Sequence, residues 1–227
     1  MNVRVVYQAA SLCLSYPDDG VLGSSALIGQ ALTEAAPRAL AGPPHPEAPR
    51  GAPAPRGGGA GTFAPLLEWW AKTPASEVQT VYVDTFDMSR RHALYLSYWT
   101  DGDTRRRGAV LADLKRRYRE AGLTIDGTGE LPDFLPLVLE FARHAPGEGA
   151  ALLQEYRPSL ELIRLALAER GSPYAGVVAA VCETLPGRSP ADRQQAMAMA
   201  AAGPPRESVG LDAHDPRLLP LEPVGRH

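Results

Sequence analysis

Cysteine is scarce in this 227-residue chain: Cys13 and Cys182 are far apart, and neither belongs to a CxxC pair. That excludes a thiolate zinc cluster and a vicinal redox motif, leaving both as small buried hydrophobes in a reducing compartment. Histidine is nearly as thin, with five residues at 45, 92, 144, 214 and 227. None forms an i, i+4 pair around a carboxylate, so one helix alone offers no metal site. A Gly-x-Ser-x-Gly elbow is missing, as is any serine or cysteine in catalytic order with a histidine, and enzymatic turnover has no anchor. No apolar run approaches the roughly 20 residues that cross a bilayer. The first helix-like stretch is interrupted by Gln8 and Ser11, with no small-residue cleavage site after it. It reads as mature structure, and a cytoplasmic chain without direct membrane insertion is expected. Basic residues are not in excess either: the net charge of -3 argues against a nucleic-acid partner.

What is present suits a folded domain. Hydrophobic residues make up 44% and charged residues 22% of the chain, close to soluble globular averages. Val5, Ala9, Leu12 and Tyr16 recur with helical spacing until Pro17, and a second helix is expected over 21–35. Residues 42–61 hold six prolines and six glycines, too little apolar surface to offset ordering entropy, and are read as a flexible insert. The Gly57 to Thr62 run lacks the lysine and preceding strand of a phosphate loop. That run is the one hint of the alternative reading, a nucleotide-dependent enzyme.

Periodicity resumes at Phe63, Leu66, Leu67 and Trp70, and Thr73 with Pro74 predicts a capped helix carrying Val78, Val81, Tyr82, Thr85 and Phe86. A helix-compatible stretch over 92–99 follows. Asp103 or Thr104 can cap a helix over 105–121 with inward Leu111, Leu114, Tyr118 and Ala121, stopped at Gly122. Leu131-Pro132-Asp133 starts another, burying Leu135, Val138, Leu139 and Ala142. Shorter helices are expected over 147–156, 159–170, 173–185 and 190–202, and the proline-rich 203–227 reads as a disordered tail. The prediction is an all-α, multi-helix bundle forming one domain over 1–202.

Two features stand out. Arg105, Arg106 and Arg107 occupy the first turn of their helix, where positive charge opposes the dipole and costs a few tenths of a kcal/mol each. Asp101 and Asp103 can neutralise part of it. Together with Lys115, Arg116, Arg117 and Arg119, they form either a solvated face or a docking surface for an acidic partner. The second feature is Glu130-Leu131-Pro132-Asp133, followed by Leu135, Leu139 and Glu140. Carboxylates beside apolar side chains suit capture of a short, positively charged amphipathic peptide, and equally a staple and cap serving the fold alone.

The blocks Tyr82-Val83-Asp84-Thr85-Phe86-Asp87, Ser89-Arg90-Arg91-His92-Ala93-Leu94-Tyr95-Leu96, Gly102-Asp103-Thr104-Arg105-Arg106-Arg107-Gly108, and Glu130-Leu131-Pro132-Asp133 through Leu139-Glu140-Phe141 resemble the NarJ family. Its members are respiratory nitrate reductase delta subunits, molybdenum cofactor assembly chaperones similar in fold to TorD-type redox-enzyme maturation proteins. The resemblance spans 78–142. It implies a non-catalytic chaperone that binds the N-terminus of the apo catalytic (alpha) subunit, promotes cofactor insertion and restrains membrane docking. The molybdenum cofactor would be handled only through the client, with cofactor-delivery proteins as further partners. The implied partner site comprises Tyr82, Phe86, Asp87, Tyr95, Arg105, Arg107, Glu130, Leu131, Pro132, Asp133, Leu135, Leu139 and Glu140. Clients of the sulfoxide reductase or formate dehydrogenase type remain an alternative. Phe134 stands where many relatives carry histidine, so no role of that histidine transfers.

Overall fold

Apolar residues on more than one face of the first helix set the architecture. The structure is a computed structural model describing residues 2–36, 60–101, 105–125 and 129–202. Helix α1 (Val3–Leu14) is capped by Asn2, whose side chain accepts from the Arg4 N–H. It buries Val6, Tyr7, Ala10, Cys13 and Leu14 against α8 (Leu135–His144), α11 (Ala175–Glu183) and α3 (Ser25–Ala35). Of the helically spaced Val5, Ala9, Leu12 and Tyr16, Ala9 is buried, Val5 and Leu12 are half-buried against the core and Tyr16 is 48% exposed. A helix enclosed by three neighbours no longer shows one apolar side.

The helix expected over 21–35 is two, α2 (Asp19–Gly23) and α3, joined at Ser24. Asp18 caps α2 through the Val21 N–H. Helix α4 (Ala60–Lys72) turns Phe63, Leu66 and Trp70 inward and takes in the last two residues of the proposed insert, Ala60 and Gly61. Residues 42–59 of that insert, with the glycine run, lie outside the described residues, as do 203–227. Helix α5 (Ala75–Tyr82) starts one residue later than expected. Pro74, not Thr73, holds the cap position because its backbone is extended, and it gives no side-chain bond. A π turn, Val83–Asp87, continues α5 and closes with the Met88 N–H on the Val83 carbonyl at 3.0 Å.

Downstream come α6 (Leu96–Asp101), α7 (Arg105–Glu120), α8, α9 (Pro146–Glu155), α10 (Arg157–Glu169), α11 and α12 (Arg193–Ala202). The segment expected to be helical from 92 becomes helix only at Leu96. Helix α7 ends in a Schellman turn: Gly122 sits at φ 79°, and the Leu123 N–H reaches the Tyr118 carbonyl at 2.8 Å. The expected caps Asp103 and Thr104 lie outside the described residues. No strand occurs among the described residues, and the chain is an all-α bundle.

A buried junction joins the two non-helical segments in its middle. Tyr95 and Phe134 form an isolated antiparallel bridge, with the Leu96 N–H on the Asp133 carbonyl (2.9 Å) and the Leu135 N–H on the Leu94 carbonyl (2.7 Å). Asp133, read from the sequence as starting α8, does not cap it: Phe134 holds that position. The fully buried Asp133 carboxylate instead accepts from Ser97 N–H (3.2 Å) and Oγ (2.5 Å), in the first turn of α6. Arg107 Nη2 lies 3.4 Å from the same oxygen, and Arg107 Nε donates to Ser97 Oγ at 3.1 Å. One carboxylate thus ties α6, α7 and the approach to α8 together, and it meets the positive charge in the first turn of α7.

Helix α10 holds a second interior ionic group: Glu161, fully buried, lies between Arg157 (3.5 Å) and Arg164 (2.6 Å). Arg157 and Arg164 also donate to the carbonyls of Pro186, Gly187 and Pro190, fastening the loop before α12.

Two substitutions test this packing. A Cβ on Gly149 would run into the Ala142 backbone and come within 2.6 Å of the Ala142 Cβ. Gly149→Ala should therefore cost about 1–3 kcal/mol, read as a lower midpoint in urea; an unchanged midpoint would mean α8 and α9 part freely. Asp133→Ala removes the acceptor shared by Ser97 and Arg107 and should cost roughly 3 kcal/mol, whereas an unperturbed melting temperature would deny the junction its structural role.

Candidate functional site

Around this junction the surface is acidic and partly apolar. The π turn delivers Asp87 and Met88 to solvent, Met88 being 77% exposed. π turns often mark functional positions. Opposite them, Glu130 is exposed and Leu131 is 40% exposed. Half-buried Tyr95 connects surface to junction: its hydroxyl donates to Glu130 Oε2 at 2.8 Å, its ring lies 5.4 Å from that of Phe134, and the Arg107 guanidinium sits 6.0 Å from its centre. Burial, and then the Glu130 carboxylate, raise Asp87 above the ordinary carboxylate value. Burial raises the Tyr95 hydroxyl as well, followed by its bond to Glu130. The arrangement is two carboxylates close enough to repel, framed by a thioether and a leucine.

The expected site residues divide sharply. Asp87, Tyr95, Glu130 and Leu131 meet at this surface. Tyr82 and Phe86 do not line a groove: they belong to the core, in an aromatic cluster with Tyr174, whose ring is 6.1 Å from Tyr82 and 5.0 Å from Phe86. The Tyr82 hydroxyl is spent on the Leu14 carbonyl at 2.9 Å. Leu135 and Leu139 are likewise fully buried on the inner side of α8. Pro132 is buried, its carbonyl accepting from the Tyr118 hydroxyl at 2.7 Å. Asp133 and Arg107 act behind the surface, holding it in place. Glu140 is exposed further along α8. Arg105 begins α7, and its side chain lies outside the described residues.

Part of the basic helix is neutralised within the fold. Arg116 pairs with Asp113 and Glu120, and Arg117 with Asp113 and Glu155. Those pairs favour the solvated-face reading over a docking surface. Met88 was missed by the sequence reading; its one signal was an apolar residue directly after Asp87. Among the described residues, no cluster of three or more histidine, cysteine or carboxylate side chains could hold a metal, and no helix is long and apolar enough to cross a membrane.

Comparison with known proteins places this surface in a family context. The sequence pattern of the family described as "Nitrate reductase delta subunit" matches residues 54–180, which include both segments of the site. The nitrate reductase-like protein NarX of Mycobacterium tuberculosis is 38% identical over 181 residues, 79% of this chain and 24% of that protein. The nitrate reductase molybdenum cofactor assembly chaperone NarJ of Escherichia coli is 36% identical over 100 residues, 44% of this chain and 42% of NarJ. The chain thus spans about a quarter of the one relative, and the matched region less than half of the other. A solved protein from Archaeoglobus fulgidus assigned to redox enzyme maturation shares the fold, with a TM-score of 0.57 at 20% identity, covering 81% of this chain and 94% of that one. The family match takes in more than half of the chain and every segment that builds the junction, and the chain belongs to the nitrate reductase delta subunit family.

Proposed function

We propose that this protein is an assembly chaperone for a respiratory nitrate reductase, acting in the cytoplasm and without catalysis of its own. It binds the N-terminal segment of the apo catalytic subunit, keeps that subunit from docking at the membrane, and supports insertion of the molybdenum cofactor, which remains the client's. The observation that carries this reading is the pairing of Asp87 and Glu130 beside exposed Met88 and Leu131. Asp87, whose proton affinity is raised by burial and then by the Glu130 carboxylate, gains from an incoming cation, and perturbed groups of this kind cluster at functional surfaces. Flanking apolar side chains supply anchors for the uncharged face of an amphipathic segment. The expected partner is therefore a short, basic, amphipathic peptide, and the chaperone role follows the name of E. coli NarJ, a nitrate reductase molybdenum cofactor assembly chaperone.

Calorimetry with the full chain and a synthetic N-terminal peptide of the catalytic subunit should show binding that weakens as salt rises. Asp87→Asn combined with Glu130→Gln should lower affinity about tenfold. Peptide binding indifferent to both substitutions would remove the surface from the proposal.

The free protein offers a further check on Asp87. A carboxyl whose folded pKa is raised holds its proton more tightly in the fold than in the unfolded chain. Its penalty is therefore absent below the ordinary value of 3.8 and complete once pH passes the raised value. Asp87→Asn should raise the melting temperature at about pH 7 and leave it unchanged at about pH 3. A loss of stability at neutral pH would show that the carboxylate is favourably paired instead.

A further inference from the structure

Sharing no residue with the Asp87–Glu130 surface, a groove of about 550 Å³ lies between α1, α3 and the end of α8. Its apolar walls are Val5, Ala9 and Leu12 of α1 and Leu27, Ile28 and Ala31 of α3. Three of these belong to the helically spaced stripe legible in the sequence, and the bundle leaves that stripe partly uncovered. Val5 and Leu12 are half-buried, and Leu27 across the groove is 67% exposed.

The groove has a direction. The Asn2 N–H donates to the Ala35 carbonyl at 3.4 Å, which brings the end of α3 to the start of α1. Ser11, late in α1, donates through Oγ to the carbonyl of Pro136, early in α8, at 3.0 Å. Both neighbours therefore run against α1, and Arg4 at its start meets Arg143 and His144 at the end of α8. Leu12 and Ser24 mark the opposite, uncharged end, about 12 Å away at the helical rise.

The cationic end lacks a counterion among the described residues. No carboxylate lines the groove, and Arg4, Arg143 and His144 enter no ion pair there. Glu34, the carboxylate of α3, accepts from Gln30 at 2.9 Å, and Glu140 of α8 is exposed outside the groove. Arg4 also stands in the first turn of α1, against the helix dipole, with no acidic residue in that turn to offset it. In α7 the same conflict at Arg107 is met from inside the fold by Asp133. At Arg4 an anion from outside would meet it.

Apolar walls that end in unpaired cations match a molecule with a hydrocarbon body and a terminal carboxylate. The volume lies in the range of small-molecule sites. A length of about two helical turns holds one extended alkyl chain and is less than a docked protein helix covers. The cations also repel the basic segment expected at the Asp87–Glu130 surface, so the two sites select opposite charge and neither depends on the other. We propose that this groove binds the anion of a medium-chain fatty acid, with its carboxylate between Arg4 and Arg143 and its alkyl chain along Val5, Leu12 and Leu27.

The test is calorimetry on the full chain with butyrate, hexanoate, octanoate, decanoate and decyltrimethylammonium. Decanoate should bind, and each step of two methylenes from hexanoate to decanoate should tighten binding about tenfold; decyltrimethylammonium, of equal chain length and opposite charge, should not bind. Arg4→Gln with Arg143→Gln should weaken decanoate binding about tenfold, and Leu27→Glu, which sets a carboxylate in the groove, should abolish it. All three side chains are exposed, so the melting temperature should not fall in either variant, and affinity for the catalytic-subunit peptide should be unchanged. No decanoate binding at millimolar concentration overturns the proposal, as does decyltrimethylammonium binding as tightly as decanoate, or decanoate binding indifferent to both variants. Loss of peptide affinity in Leu27→Glu would assign the groove to the peptide and overturn it too.

Discussion

The buried carboxylate of Asp133 is the interaction from which the central architecture follows. Its placement beside Ser97 and Arg107 is favourable because both bring donors, and costly because a charge has left water. The geometry offsets part of that cost with a neutral backbone donor, a hydroxyl and a guanidinium on Oδ2, while Oδ1 is buried without a hydrogen bond among the described residues. The backbone bonds between Leu96 and Asp133, and between Leu94 and Leu135, then fix the two loops against each other. Without this junction, Glu130 and Leu131 would have no defined position relative to Tyr95 and Asp87.

The loop between Met88 and Tyr95 borders two surfaces of opposite character. Its ends, at Asp87, Met88 and Tyr95, belong to the acidic and apolar patch, while Arg90, Arg91 and His92 in its middle line a cationic cleft. The π turn holds it at one end and the bridge to Phe134 at the other. Anchored at both ends, a short irregular segment can display contrary charges without letting them collapse onto each other. The Phe134 ring packs on Tyr95, and that aromatic contact serves the bridge.

Helical period was readable because most helices have one covered side. Leu135, Val138, Leu139 and Ala142 fall on the inner side of α8 as their spacing implies, and α9 through α12 lie close to the expected boundaries. The reading failed where burial comes from several directions, as for α1, or where a polar group is satisfied by a distant segment. Asp133 beside a proline looks like a local cap; its bond to Ser97 exists only after the chain has folded back. Tyr82 and Phe86 were assigned to a partner because an aromatic pair beside Asp87 has the same composition whether it faces solvent or Tyr174. Arg157, Glu161 and Arg164 share a helix face that in sequence resembles a solvated stripe, and their burial depends on the loop that covers them.

The two thiols illustrate a quieter effect of dense packing. Cys13 and Cys182 are buried and unbridged, and loss of water pushes the Cys13 thiol up to about 12, with Cys182 raised in the same way. Neither can supply appreciable thiolate at neutral pH, the form that attacks disulfides and captures soft metals. The two thiols are consequently chemically silent, and among the described residues the sulfur this molecule shows to solvent is thioether, at Met88 and Met197.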